Sequence, residues 1–283
     1  MKILVIGAGT LGSSIAKCLA RKGHELLVFN RTHERAERLC STIGCKVIGG
    51  PDGARDAEAA IVSLFDDVAN FEVLIAGRFL ESLSGRVVLN TSTISPEASL
   101  AISRASSERG VKYYECTVYG SVDEAEACGL VSMIAGQEPL DEAEKIAREF
   151  SSSVHRIGPI PSATVLKLAL NNVGLSIPAL VGESLMLLEG YGVPLEKFEE
   201  VASRLWFGEF VRRYIERSRS GKRRFTVRGA AKDYGLISGA LRSVGRNAVI
   251  SSALASFYAG LIEDVGDEDY SAAIRGYLRA LRR

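Results

Sequence analysis

Short apolar runs alternate with amphipathic stretches through the first half of the chain. KILVIG (2–7) is an almost unbroken apolar run, the pattern of a strand buried on both faces. Leu11, Ile15, Cys18 and Leu19 then recur at helical spacing across 11–22. ELLVFN (25–30) predicts a second strand and ERAERLCSTI (34–43) a second helix. Further strands are expected at 46–48, 59–63, 86–90, 111–115 and 130–135, with helices at 67–76, 96–108 and 138–150. This alternation predicts an α/β fold with a doubly wound, mostly parallel sheet and helices on both faces.

Beyond about residue 160 the strand signals stop. Residues 162–190 form a long apolar stretch of helical composition, and Pro178 is expected to kink it. Lys167, Asn171, Asn172, Pro178 and Glu183 interrupt it too often for a membrane span. A helix apolar on most sides is expected between domains or in a subunit interface. Helical segments at 194–203, 208–217, 229–245, 248–262 and 269–281 make the second half all-α. HRIGPIPSA (155–163) is the natural boundary, giving domains 1–160 and 161–283.

The composition narrows the class. Of 283 residues, 47% are hydrophobic and 24% charged, an ordinary globular balance that folds without metal or staples. A formal net charge of +1 gives no broad attraction to nucleic acid or acidic membranes. The five cysteines are scattered, with no C-x-x-C pair, and there are three histidines, so no metal site is expected. An odd, scattered set of cysteines fits a reducing compartment. MKILVIGAG enters a strand at once rather than forming a signal peptide, and a cytoplasmic protein is expected.

Candidate chemistry begins directly after the first strand. VIGAGTLGSSIA holds G-x-G-x-x-G at Gly7, Gly9 and Gly12, with Ala8, Thr10 and Leu11 between them. Between a strand and a helix this is the turn of a Rossmann-type dinucleotide site. The first glycine permits the turn, the second admits the pyrophosphate, and the third lets helix and strand pack closely. The next strand ends in FNRTHER. A carboxylate there would read the ribose hydroxyls of NAD; Asn30, Arg31, Thr32 and Arg35 instead suit a 2′-phosphate, so NADP is the expected cofactor.

Five segments in order resemble the β-hydroxyacid dehydrogenase family, which includes 3-hydroxyisobutyrate dehydrogenase and the glyoxylate/succinic semialdehyde reductases. They are the glycine turn through NRT, NTSTISPEAS (90–99), YECTVYGSVDEAEACGLVSMIAG (114–136), GPIPSATVLKLALNN (158–172) and FTVRGAAKDYGL (225–236). The resemblance implies that Lys167 is the general acid/base, with Asn171 supporting it and the substrate. Four residues apart, the two fall on one helix face. It implies that Ser92 and Thr93 meet nicotinamide ribose and substrate carboxylate, and that Val118, Gly120 and Ser121 bind that carboxylate. It also implies that Leu64 and Phe65 line the cofactor and Lys232 closes over its nicotinamide end, with Asp233 beside it. The expected reaction is hydride transfer between NADP(H) and a small 3-hydroxyacid or short semialdehyde acid, in a homodimer or homotetramer with its site between the domains. An imine reductase of the same architecture and a non-catalytic NADP-binding regulator are the alternatives, and Lys167 with Asn171 favours the dehydrogenase.

The chain departs from the family pattern in several places. Glu115-Cys116-Thr117 stands for the usual D-x-P, Tyr119-Gly120-Ser121 for S-G-G, and Pro161 and Ala163 replace glycines before the lysine. Tyr119 would add bulk and a phenol near the carboxylate site. Gly174 stands where 6-phosphogluconate dehydrogenases carry a glutamate, which makes sugar-phosphate decarboxylation a poor fit. The run 211–228 has eight basic residues and one acidic, but few aromatics for stacking bases, so it reads as a solvated helix end or an anion contact. Trp206 is expected in the core.

Overall fold

Consecutive apolar residues in β1 (Lys2–Ile6) make it the fully buried centre of the first half. It is flanked by β2 (Glu25–Phe29) and β4 (Ala59–Val62), and the sheet continues outward through β3 (Lys46–Val47), β5 (Val87–Asn90), β6 (Lys112–Tyr119), β7 (Leu130–Ala135) and β8 (Ser151–Gly158). The order is β3-β2-β1-β4-β5-β6-β7-β8, and only the β6–β7 pairing is antiparallel. This computed structural model describes residues 1–275. The expected helix at 269–281 therefore lies partly outside the described residues; Tyr270–Ala272 begins it as a short 3-10 turn.

Helices cover both faces of the sheet. They are α1 (Thr10–Arg21), α2 (His33–Ile43), α3 (Asp67–Asn70), α4 (Phe79–Ser82), α5 (Pro96–Ser107), α6 (Val122–Glu126) and α7 (Asp141–Ala147). One apolar layer joins Ile3, Val5, Ile15, Leu19, Cys116 and Ile146; the other joins Leu4, Ile6, Leu74, Phe79, Val88 and Ile102. Alternate residues of each strand thus supply opposite layers, as the strand's two-residue period requires. The pairing of β7 antiparallel to β6 and parallel to β8 makes the sheet mixed at one end.

Four of the five cysteines are paired in this unit. Cys18 of α1 is bonded to Cys128, and Cys40 to Cys45, while Cys116 is free and buried. The odd, scattered set suggests reduced cysteines; spacing hides the Cys18–Cys128 pair, which joins residues 110 apart, whereas Cys40 and Cys45 are only 5 apart.

From Ser162 to Gly190 the chain runs as one helix, α8. The division between the two compact units falls within it, after Lys167, and the second unit opens at Leu168. That unit is built from the rest of α8 with α9 (Leu195–Ala202), α10 (Gly208–Ser220), α11 (Val227–Ser243), α12 (Val249–Gly260) and α13 (Ile262–Val265). Its core contains Leu168, Leu175, Ile215, Tyr234, Ile237 and Tyr258, with Tyr234 stacked on Tyr258 at 5.7 Å.

The helix continues through Pro178. Proline has no N–H to give to the carbonyl four residues back, which is Gly174. Tyr214 of α10 supplies that bond instead, its hydroxyl donating to Gly174 O at 3.4 Å. Tyr214 is itself hydrogen-bonded to Tyr270 at 2.7 Å, so the freed carbonyl ends a short hydroxyl relay. Trp206 is not in the core: it is 87% exposed. It lies in the turn between α9 and α10, where Phe207 faces inward and Gly208 packs against the Ala202 carbonyl, leaving its neighbour pointing out.

Candidate active site

The glycine turn shows a different need at each position. Gly7 has φ +108, and a Cβ there would stand 2.2 Å from Ser63 O. A Cβ on Gly12 would stand 2.0 Å from Gly7 O, so this glycine lets α1 pack onto the turn. A Cβ on Gly9 would meet nothing within 4 Å. Its smallness serves nothing inside the protein, which fits a position left clear for a ligand's phosphates. No acidic residue lies in the first turn of α1, so its N–H groups and positive dipole end would receive an anion without competition.

Asn30 belongs to the scaffold of this turn. Its Oδ1 accepts from Ala8 N–H at 2.9 Å and its Nδ2 donates to Thr32 O at 2.8 Å. Through these two amide bonds Asn30 ties β2 to the glycine turn. Arg31 is exposed and paired with Glu72 at 2.9 Å, and Arg35 is also exposed. The end of β2 carries no carboxylate.

The loops after β4 and β5 are tied to each other. Ser92 Oγ accepts from Leu64 N–H at 2.9 Å, and Asp67 binds both the N–H and the hydroxyl of Ser95, at 2.8 and 2.6 Å. Ser95 in turn caps α5 by accepting from Ala98 N–H at 3.1 Å. Ser92 is buried, so its hydroxyl sets the loop instead of facing open space. Phe65 and Thr93 stand on the more open parts of these loops. Asp67 was missed by sequence reasoning; a lone aspartate at a helix start gives no signal of its cross-loop role.

The third loop follows β6. Val118 turns its side chain into the core, leaving only its backbone for any binding. Gly120 has φ +138, and a Cβ there would meet Leu130 at 2.7 Å. Ser121 and Glu124 form the capping box of α6, and the Ser121 hydroxyl holds the Glu124 carboxyl below the usual range, with burial opposing. Tyr119 is 42% exposed, and Lys167 Nζ lies 4.7 Å from its ring centroid. The glycine turn, the tied loops and the Tyr119 loop all leave the carboxyl ends of parallel-paired strands. That is where open α/β sheets bind ligands.

On α8, Lys167 closes the first unit and Asn171 lies one turn on, in the second. Within that second unit Asn171 Nδ2 donates to Asp233 Oδ2 at 2.7 Å. Lys232 Nζ is 2.7 Å from the other oxygen of the same carboxylate. Asp233 is 1% exposed, so it is the buried acceptor that orients both expected site residues. A Lys-Asp step on a helix reads as a solvated face, which is why the sequence undervalued it. Part of the basic run is held in ion pairs. Arg217 grips the Asp269 carboxylate with two bonds of 2.8 and 2.9 Å, and Arg212 bridges Glu209 and Glu216. Among the described residues no cluster of His, Cys, Asp and Glu could hold a metal ion.

Comparison with known proteins agrees with this architecture. Residues 2–158 match the family model described as the NAD binding domain of 6-phosphogluconate dehydrogenase. The chain is 29% identical to the uncharacterized oxidoreductase YfjR of Bacillus subtilis (strain 168), covering 97% of this chain and 99% of that protein. It is 25% identical to the chloroplastic glyoxylate/succinic semialdehyde reductase 2 of Arabidopsis thaliana, covering 98% and 80%. The fold superimposes on that of Mycobacterium tuberculosis 3-hydroxyisobutyrate dehydrogenase, solved with L-serine, with a TM-score of 0.83 at 22% identity, covering 100% of this chain and 99% of that one. Fold and site together define an oxidoreductase that takes a nicotinamide dinucleotide. The chain belongs to the β-hydroxyacid dehydrogenase family.

Proposed function

We propose that this protein is an NADP(H)-dependent reductase and dehydrogenase acting on a small 3-hydroxyacid or the matching semialdehyde acid, with Lys167 as general acid/base. The observation that carries the reading is Lys167 Nζ held against Tyr119, at the carboxyl edge where the glycine turn also opens. Gly7 to Gly12 and the N-terminus of α1 would hold the pyrophosphate, and Arg31 and Arg35 the 2′-phosphate. The cofactor supplies a hydride when bound. Reduction of a carbonyl leaves an alkoxide that needs a proton, and in this reading Lys167 gives it; in the reverse direction it removes the hydroxyl proton. Asn171, held by Asp233, keeps its amide oxygen free of that bond and so able to accept from a donor on the same helix face.

The subunits are proposed to associate through α8. Val173, Leu180 and Leu187 are exposed at seven-residue intervals, an apolar stripe unusual on a free helix.

The test is turnover of NADPH against glyoxylate, succinic semialdehyde, methylmalonate semialdehyde, tartronate semialdehyde and cyclic imines. Reduction of one of the acids, abolished by Lys167→Ala while NADPH still binds, is the expected result. Undiminished turnover in Lys167→Ala would sink the mechanism, and preference for the imines would move the substrate class.

A further inference from the structure

β6 meets the start of α8 along a row of three side chains. Strand residues alternate between faces, and Tyr114, Cys116 and Val118 all enter one core layer. Glu115, Thr117 and Tyr119 therefore share the other face, and each touches α8 in order. Glu115 Oε2 accepts from Ala163 N–H at 2.9 Å and from Thr164 N–H at 3.2 Å. Thr117 Oγ1 donates to Ala163 O at 3.0 Å. Tyr119 meets Lys167 Nζ through its ring face, a favourable place for an ammonium.

Glu115 is 1% exposed, an expensive position for a carboxylate without donors. Three donors converge on it. The third is the Ser99 hydroxyl, 2.5 Å from Oε1. The two α8 N–H groups are among those a helix start leaves without intrahelical acceptors. Burial raises the carboxyl above its usual range, and the bonds from Ser99, Thr164 and Ala163 work against that rise.

We propose that Glu115 is a positioning residue for Lys167: it clamps the first turn of α8 to β6, Thr117 and Tyr119 extend the clamp, and the row fixes where the Lys167 ammonium stands. Lys167 is one helical turn beyond Ala163, so fraying or shifting at Ala163 moves the ammonium directly. The proposal rests on the reading of Lys167 as the proton carrier.

The experiment measures amide hydrogen exchange over 162–168 and single-substrate kinetics in the full chain. Glu115→Ala should speed exchange of the first-turn amides of α8 by about tenfold or more and lower kcat by roughly 10- to 100-fold, with NADPH affinity unchanged. Glu115→Gln should rescue both, because its amide oxygen can accept from the two N–H groups and its NH2 can donate to Ser99. Thr117→Val, which removes one bond, should shift both readouts the same way but less, and it serves if Glu115→Ala does not fold. Where Lys167→Ala leaves residual turnover, adding Glu115→Ala should not lower it further. Slow exchange and full kcat in both Glu115→Ala and Thr117→Val would overturn the clamp. Equal losses with and without Lys167 would overturn its action through that lysine. Wild-type turnover in Lys167→Ala with fast exchange in Glu115→Ala would refute the proton-carrier reading and leave the clamp standing as structural only.

Discussion

Three glycines that look alike in the sequence should behave differently when changed. Gly12→Ala drives a methyl into the Gly7 carbonyl, so it should destabilise the protein by about 1–3 kcal/mol and weaken cofactor binding as well. Gly9→Ala adds a methyl to open space, so thermal unfolding should not move while NADPH affinity falls. Calorimetry and a binding titration on the same two variants separate a glycine needed by the fold from one needed by the ligand. At the end of β2, Arg31→Ala should weaken NADPH binding by roughly 10- to 150-fold while sparing NADH, since a charge-assisted phosphate contact is worth about 1.5–3 kcal/mol. Its pair with Glu72 is exposed on both sides, so stability should not respond. Asn30→Ala should instead loosen the turn for both cofactors, because its amide holds Ala8 and the Thr32 carbonyl.

Elements differ in how openly they declare themselves. The central strands were legible because burial on both faces forces unbroken apolar runs, and the glycine turn because its backbone demands are local. β8 was not, since SSSVHRIG is polar along much of its length and lies at the sheet edge. β6 was expected to stop at 115 but reaches Tyr119, since no turn residue intervenes before Gly120. That Lys167 and Asn171 share one helix was readable from the apolar pattern around them. Their supports were not, because Glu115 with Ala163 and Asp233 with Asn171 are partners 48 and 62 residues apart. The continuity of α8 through Pro178 likewise depends on a distant hydroxyl. Tyr214→Phe should leave the Gly174 carbonyl unsatisfied and cost about 1–3 kcal/mol, measured by denaturant unfolding. On the exposed stripe of the same helix, Leu180→Glu should reduce the molar mass in solution, measured by light scattering.

Over the whole molecule, the cysteine pairs and the most buried arginine–aspartate pair fall in different units. Both cysteine pairs belong to the first unit, and the Cys18–Cys128 bond spans 110 residues. In the chain-entropy picture a closed loop of that length is worth about 4–5 kcal/mol, so reductant should lower the unfolding temperature of the Rossmann-type unit. The second unit should not respond. It holds the buried Arg217–Asp269 pair. Burial alone would raise the Asp269 carboxyl, but the Arg217 guanidinium and the bonds from Arg224 N–H and Ser271 keep it below the ordinary range. A lowered acid means the unfolded state binds more protons, so this contribution is complete above the ordinary aspartate range and disappears as pH falls through the lowered value. Glu115 has the opposite sign: its raised carboxyl makes the folded state bind more protons, so stability falls as pH rises through the acid range. Glu115→Gln should flatten that decline, and Asp269→Asn should remove the gain, in unfolding scans taken at stepped pH.

The alternation along β6 has a consequence for changing this enzyme in the laboratory. Positions 114, 116 and 118 answer to core volume, while 115 and 117 answer to the helix that carries the lysine. Position 119 sits at the end of that row, still paired through its backbone to Val131 whatever its side chain. Selectivity and foldability are therefore separable traits here. A library randomised at 119, with 114–118 held constant, should keep nearly every member folded while spreading the range of acids that are turned over.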